Sequence, residues 1–368
     1  MSRPVVLTLF LTHQCNLRCT YCYVHEKRNE TMPEEIGRKA IDLAVPLVKN
    51  RLQISFFGGE PLIEWDLLKA FHAYGVERTS ERGIKTVFAL TTNGMLLDKE
   101  RLEFLRENDV RVGFSIDGNE AAQDATRPKA GGSSSYKRTM ERLRLALEHL
   151  PDLQTISVID PSNVQHLADS VQELLDAGCK RITLNPNWGG DWEDEAVRDV
   201  WEQQYEAISN LYIERFRAKK PVRISFIEDK VITRLKSGYA SCDQCDFGRL
   251  DFAVSTSGKI YPCERQVGSD GEAEAHMVIG DVDKGFDRKA QRKIHHAIKQ
   301  VPEECKRCAL ADRCANWCPC ANLELTGDMG KPGGLLCFHE QLSVKWADHA
   351  ASTLYAEENP AFMMRFYS

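Results

Sequence analysis

The sequence predicts an α/β fold: a partial (β/α)6, TIM-like barrel, then a cysteine-rich domain and a C-terminal helix. Three observations predict it. Six short apolar runs alternate with long amphipathic stretches through the first 220 residues, which implies a parallel sheet with helices outside it. Nine of the 13 cysteines crowd between Cys242 and Cys337. The last segment carries Leu342, Trp346, Ala350 and Leu354 at i, i+4 spacing, the stripe of a helix that packs back on the body.

In order, the strand candidates are Val5–Leu11, Gln53–Phe57, Lys85–Leu90, Val110–Ile116, Leu153–Val158 and Arg181–Leu184. After the first, Thr31-Met-Pro-Glu34 reads as a capping box with Pro inside the first helical turn. A barrel of this kind places its catalytic loops at the C-terminal ends of the strands. Alternation fades after about Lys220. The expected domains are therefore a barrel over 1–220, a bridging segment over 221–241, a cysteine-rich domain over 242–340, and a helix and tail over 341–368. The cysteine-dense stretch cannot bury much apolar core alone, so metal must replace part of it.

With 42% hydrophobic residues the composition is that of a globular protein, and a net charge of −6 argues against a nucleic-acid partner. The basic run from Arg288 to His296 reads as a solvated helix face. No stretch approaches the roughly 18 apolar residues that a membrane span needs. Val5–Leu11 could pass for a weak signal segment, but it runs straight into a cysteine motif and reads better as a buried strand. Thirteen cysteines without a secretion signal favour metal ligation over disulfides, hence a cytoplasmic, oxygen-sensitive protein.

That first cysteine motif is Cys15-Asn-Leu-Arg-Cys19-Thr-Tyr-Cys22. Its C-x3-C-x2-C spacing supplies three thiolates where a cubane iron–sulfur cluster takes four ligands, leaving one iron open to a non-protein ligand. An open metal position marks catalysis rather than structure. Zinc with His13 or His25 as the fourth ligand is the alternative that this segment leaves open. The motif resembles that of the radical S-adenosylmethionine (SAM) superfamily. There SAM chelates the open iron through its amino and carboxylate groups, and an electron from the cluster cleaves it to methionine and a 5′-deoxyadenosyl radical.

Further along come Phe57-Gly58-Gly59-Glu60-Pro61, Thr92-Asn93-Gly94 and Ser115-Ile116-Asp117-Gly118, each at the end of a strand candidate. The glycines permit close backbone approach, and Glu60 offers an acceptor for an ammonium group. Polar strand caps explain these residues equally well on pattern alone. The resemblance implies that Gly58, Gly59 and Glu60 hold the SAM amino group and that Asn93 and Ser115 contact SAM. It also implies that Arg127 meets the SAM carboxylate and that Tyr21 lies near the adenine. The family often has a His where this chain has Gln123.

The second cysteine field reads Cys242-x2-Cys245, Gly258-x4-Cys263, Cys305-x2-Cys308-x5-Cys314-x3-Cys318, Cys320 and Cys337. Two interleaved zinc sites would fit this spacing. It also resembles the SPASM extension of radical SAM peptide and protein maturases, which binds two auxiliary four-iron clusters. The resemblance implies one cluster on Cys242, Cys245, Cys263 and Cys318 and another on Cys305, Cys308, Cys314 and Cys337. Three [4Fe-4S] clusters and SAM are then the expected cofactors. Cys179 reads as an ordinary buried thiol in a helix-to-strand turn, and Cys320 as structural.

Relatives of this layout cross-link ribosomal peptides through thioether or carbon–carbon bonds, or oxidise a side chain to formylglycine in sulfatases. Sulfatase maturases carry Asp after the G-x4-C cysteine and Gln before Gly-Gly-Glu, where this chain has Glu264 and Phe57. The expected function is therefore oxidative cross-linking of a ribosomally made peptide, with Glu264 as a candidate general base. Formylglycine formation is the runner-up, and small-molecule cofactor synthesis a third reading. The expected partners are a peptide or protein substrate and an electron donor such as flavodoxin or ferredoxin. Only 14 residues precede Cys15, too few for an N-terminal recognition domain. The leader is accordingly expected to bind a separate leader-peptide-binding protein or the barrel mouth directly, and neither nucleic acid nor membrane is expected as a partner.

Overall fold

The computed structural model describes residues 3–24, 26–240 and 243–367. Its strands are β1 Val5–Phe10, β2 Arg51–Phe57, β3 Lys85–Thr92, β4 Arg111–Ser115, β5 Gln154–Ile159, β6 Arg181–Pro186, β7 Arg223–Ile224, β8 Asp251–Val254, β9 Lys259–Tyr261, β10 Gly280–Asp281 and β11 Gly285–Phe286. The α-helices are α1 Glu34–Ala44, α2 Trp65–Ser80, α3 Lys99–Glu107, α4 Glu120–Thr126, α5 Tyr136–His149, α6 Leu167–Asp176, α7 Glu195–Arg217, α8 Ser225–Leu235, α9 Arg288–Ile298, α10 Glu303–Lys306, α11 Pro319–Thr326, α12 Gly334–Ala356 and α13 Pro360–Phe366. All six runs read as strands are strands, and the alternation of strand and helix is that of a mixed α/β fold.

Two compact units divide the chain, each drawn from separated segments. The first takes the described residues of 3–18, 22–114 and 245–299; the second takes 19–21, 115–244 and 300–367.

In the first unit β1 pairs in parallel with β2, Leu7 opposite Ile54, and β2 with β3, Ile54 opposite Phe88. β4 continues the parallel order on β3. On its other side β1 takes β8, Leu7 opposite Phe252, and β9, β10 and β11 follow antiparallel. Buried side chains at alternate positions, Leu52, Ile54 and Phe56 on β2, meet Leu7, Leu9, Phe71 and Leu90 in its core. The capping box is corrected here. α1 starts at Glu34 with Pro33 at its N-cap and no side-chain cap. The Thr31 hydroxyl instead donates to Glu64 Oε1 at 2.6 Å, a long-range partner that local spacing could not reveal.

In the second unit β5, β6 and β7 are parallel, and the chain after β4 joins them through Ile116 N–H donating to Ile156 O at 3.0 Å. Helices α7, α8 and α12 pack together around buried Trp201, Tyr205, Tyr212 and Phe216, with Tyr205 stacked on Phe226 at 4.0 Å. The stripe Leu342, Trp346, Ala350 and Leu354 is buried along α12. That helix begins at Gly334, earlier than the sequence suggested, so its first turn carries Cys337. Cys179 lies between α6 and β6 and is buried, which pushes its thiol up to about 12. Cys320 is buried on α11. No helix among the described residues is long and apolar enough to cross a membrane.

Candidate active site

In the first unit the loop leaving β1 carries Cys15 and Cys22. Its backbone is held against the end of β2, where Gly59 N–H donates to Thr12 O at 2.7 Å and Glu60 N–H to Gln14 O at 2.8 Å. A Cβ on Gly59 would stand 2.1 Å from Gln14 O, and one on Gly58, at φ +141°, 2.5 Å from Thr12 O. The two glycines are therefore fixed first by the cysteine loop itself, which could not approach β2 past any side chain. Glu60 is fully buried. Its Oε1 accepts from Thr92 Oγ1 at 2.7 Å and Leu62 N at 3.0 Å, and its Oε2 from Asn93 N at 2.8 Å. The carboxylate thus ties the end of β2 to the end of β3. Asn93 reaches back to the cysteine loop, its Nδ2 donating to Asn16 Oδ1 at 2.7 Å and lying 3.8 Å from Cys15 Sγ.

Lys27 escaped the sequence reading. Its ammonium is 2.9 Å from Cys22 Sγ. No spacing rule singles it out, since it lies beyond the motif. His25 lies outside the described residues. Neither ring nitrogen of buried His13 has a hydrogen-bond partner among them. The ring sits within 4.8 Å of the Glu30 and Asp270 carboxylates. Arg28 at 3.2 Å and Lys259 at 3.4 Å already balance those two charges, and burial lowers the imidazole pKa.

The second unit holds Cys19, Tyr21, Ser115 and Arg127. The Tyr21 hydroxyl donates to Asp117 Oδ2 and accepts from Arg127 Nη1, both at 2.7 Å. Thr126 Oγ1 donates to the same Asp117 oxygen at 2.5 Å, and Val158 N–H to the other at 3.0 Å. Burial raises the Asp117 pKa, with Arg127 and these donors opposing it. Burial also works against the Arg127 charge, but Tyr21, Cys19 and Asp117 outweigh it and hold the guanidinium well above its ordinary value. Gln123 accepts from Asp117 N at 2.9 Å and donates to Ser135 Oγ at 2.9 Å, so the amide in place of the family His bridges two loops. Ser115 closes β4, half-buried.

Arg127 Nε is buried without a hydrogen-bond partner among the described residues, and an orphaned guanidinium donor suits a carboxylate such as that of SAM. The Tyr21 hydroxyl is committed to Arg127 and Asp117.

Cys242 lies outside the described residues. Cys245 and Cys263 belong to the first unit and Cys318, just before α11, to the second. The G-x4-C spacing has a clear cause: Gly258, at φ +89°, closes the turn between β8 and β9, and β9 then delivers Cys263. Glu264 follows, 3.5 Å from Cys263 Sγ. Its charge acts on Tyr23, which burial first, then Glu264, pushes well above the ordinary tyrosine pKa. Tyr23 lies parallel to Phe57 at 6.1 Å, with the Arg265 guanidinium 5.1 Å from its ring centre. Of the two departures from the sulfatase-maturase pattern, Phe57 stacks with Tyr23 and Glu264 acts on the same residue through its charge.

The other four cysteines share the second unit. Burial raises Cys337, and the charges of Cys305 and Cys308 add to it. Burial likewise pushes Cys314 up to about 12, with Glu340 and Cys337 contributing. Four sulfurs of one unit that act on one another's charge are a donor set of the kind an iron–sulfur cluster takes.

Residues 9–174 match the description of the radical SAM superfamily. Residues 9–174 thus form a radical SAM domain. An uncharacterised protein of Methanocaldococcus jannaschii is 32% identical over 179 residues, 49% of this chain and 61% of that protein, less than two thirds of its length. A cysteine-type anaerobic sulfatase-maturating enzyme of Clostridium novyi is 24% identical over 328 residues, 83% of this chain and 84% of the relative. Among solved structures, native anSMEcpe with bound AdoMet and Cp18Cys peptide superposes with a TM-score of 0.80 at 19% identity, covering 96% of this chain and 100% of that one. Streptococcus suis SuiB bound to precursor peptide SuiA gives 0.62 at 16%, covering 92% and 76%. At these identities the two structures show the fold alone, the α/β radical SAM fold, to which this chain adds a cysteine-rich C-terminal region.

Proposed function

We propose that this radical SAM enzyme is a maturase that oxidises a peptide or protein side chain at an unactivated C–H bond, and that its product is a thioether or carbon–carbon cross-link. The observation that carries the reading is the meeting of Phe57, Tyr23 and Glu264. An aromatic surface stands where sulfatase maturases carry a glutamine, with a carboxylate beside it. That two solved neighbours are described with bound peptides supports a peptide substrate.

A cluster on Cys15, Cys19 and Cys22 would supply one-electron cleavage of SAM. Around it Gly58, Gly59 and Glu60 hold the cysteine loop and the SAM amino group, while Asn93, Ser115, Tyr21 and Arg127 orient the rest of SAM. SAM so held would supply hydrogen abstraction from the substrate, and Glu264 would take the proton that leaves next. Cys242, Cys245, Cys263 and Cys318 would hold one auxiliary cluster and Cys305, Cys308, Cys314 and Cys337 another, and these would supply an acceptor for the second electron. A flavodoxin or ferredoxin supplies the first electron, and a separate protein presents the leader peptide.

Formylglycine formation is the second reading, favoured by alignment with a sulfatase-maturating enzyme over most of both chains. Anaerobic reconstitution followed by mass spectrometry separates the two. A candidate peptide encoded beside the gene should lose hydrogens in pairs and show a cross-link on fragmentation. Conversion of a sulfatase Cys or Ser, with no such peptide turned over, overturns the first reading in favour of the second.

A further inference from the structure

A buried ion pair in the second unit lies against the loop that presents Cys314. Lys230 on α8 and Glu340 on α12 are 3% and 5% exposed, and Lys230 Nζ donates to Glu340 Oε2 at 2.6 Å. Both ends of the pair also grip the peptides flanking Cys314. Lys230 Nζ donates to Arg313 O at 2.7 Å, and Ala315 N–H donates to Glu340 Oε2 at 2.9 Å. Arg313 completes the grip, donating to Lys230 O at 2.9 Å and to both Asp348 oxygens at 2.8 Å. The Tyr239 hydroxyl is 3.2 Å from Lys230 Nζ, and His339 Nδ1 is 3.7 Å from Glu340 Oε1. Helix α12 carries Glu340 together with Cys337.

A buried pair of this kind contributes little to stability against an apolar replacement, because desolvation offsets most of its attraction. Its worth lies in what it holds. A cysteine ligand clamped through the carbonyl before it and the amide after it is fixed before any metal arrives. The groups that hold a metal's ligands also tune the metal.

We propose that Lys230 and Glu340 are positioning residues for Cys314, and that their opposite charges set the reduction potential of an auxiliary cluster held by Cys305, Cys308, Cys314 and Cys337. The inference rests on the reading of those four cysteines as cluster ligands. Reduction adds negative charge to a cluster, so a nearby cation raises the potential and a nearby anion lowers it.

The test is an anaerobic redox titration of the reconstituted full chain, followed by electron paramagnetic resonance, with Cys337→Ala to assign the signal. Lys230→Met should lower the midpoint of that one signal and Glu340→Gln should raise it, while Lys230→Arg stays at the wild-type value. The double variant Lys230→Met/Glu340→Leu, which removes both charges and suits the interior, should return toward wild type. It covers the case in which Lys230→Met fails to fold. Midpoints that do not move, or that move the same way in Lys230→Met and Glu340→Gln, overturn the pair's role. If Cys337→Ala loses neither signal nor iron, the cluster reading itself fails, whatever the pair does.

Discussion

The Tyr21 hydroxyl donates to Asp117 at 2.7 Å while accepting from Arg127 at the same distance, so one phenol on the cysteine loop joins a buried acid to a buried base. Replacing Tyr21 with Phe keeps the ring, takes from Arg127 Nη1 its acceptor on Tyr21, and leaves Asp117 Oδ2 with Thr126 Oγ1 as its donor. A buried polar group so abandoned costs about 1–3 kcal/mol. Tyr21→Phe should therefore lower the melting temperature of the anaerobic holoprotein and weaken SAM binding through Arg127. Calorimetry and equilibrium dialysis with SAM check the two effects, and unchanged values in both would mean that the bridge is incidental.

Gly59 tests how the first unit holds its cysteines. A methyl there would stand 2.1 Å from a backbone carbonyl oxygen, which no rotamer change relieves. Gly59→Ala should push the Thr12–Gln14 strap off β2 and impair the three-thiolate site selectively. Reconstituted protein should then bind about four fewer iron atoms, the content of one four-iron cluster. Wild-type iron content with normal SAM cleavage would show that the strap tolerates displacement.

The strands and the turn before Cys263 were legible in the sequence because each leaves a local mark. Alternating burial on β2 appears as Leu52, Ile54 and Phe56, and the turn at Gly258 fixes a constant distance to Cys263. What stayed hidden depends on residues far apart in the chain. β8 pairs with β1 across most of the sequence, and the two-residue strands β10 and β11 are too short to show a period. Lys27 beside Cys22, the Thr31–Glu64 bond and the stacking of Tyr23 on Phe57 follow from loop paths that no spacing encodes. Gly-Gly-Glu was found for a ligand, yet its most immediate contacts are with the protein's own backbone.

His72 gives the pH dependence. It is buried between Phe88 at 4.2 Å and Phe104 at 5.5 Å, and desolvation lowers its pKa below 6.5. A lowered folded-state value means that protonation opposes folding. The stability associated with the neutral ring is present above pH 6.5, the unfolded value, and is lost as pH falls through the folded pKa. Denaturant unfolding of the anaerobic protein should show stability falling from about pH 7 to about pH 5. The fall should be smaller in His72→Leu. Parallel pH profiles for the two proteins would assign the loss elsewhere.

Replacing Cys15, Cys19 and Cys22 together with Ala should abolish reductive cleavage of SAM while leaving about eight iron atoms bound, since only a three-thiolate cluster leaves an iron open. The wild type should hold about twelve iron and twelve sulfide. Stoichiometric zinc with little sulfide contradicts this, and so does any 5′-deoxyadenosine formed by the variant.

Glu264 separates cleavage of SAM from oxidation of the substrate. Its carboxylate is 3.5 Å from Cys263 Sγ and acts on Tyr23, next to Phe57. If Glu264 takes the substrate's proton after hydrogen abstraction, Glu264→Gln keeps the size of the side chain and removes the acceptor. SAM binding needs none of this, so 5′-deoxyadenosine should still form. Modified peptide should fall by about 10²–10⁴-fold, the usual contribution of a positioned base. Glu264→Asp, which keeps a carboxylate, should recover part of the loss. The comparison is the ratio of 5′-deoxyadenosine to modified peptide in single-turnover assays. A ratio unchanged in Glu264→Gln would reduce this glutamate to a side chain that happens to follow a metal ligand.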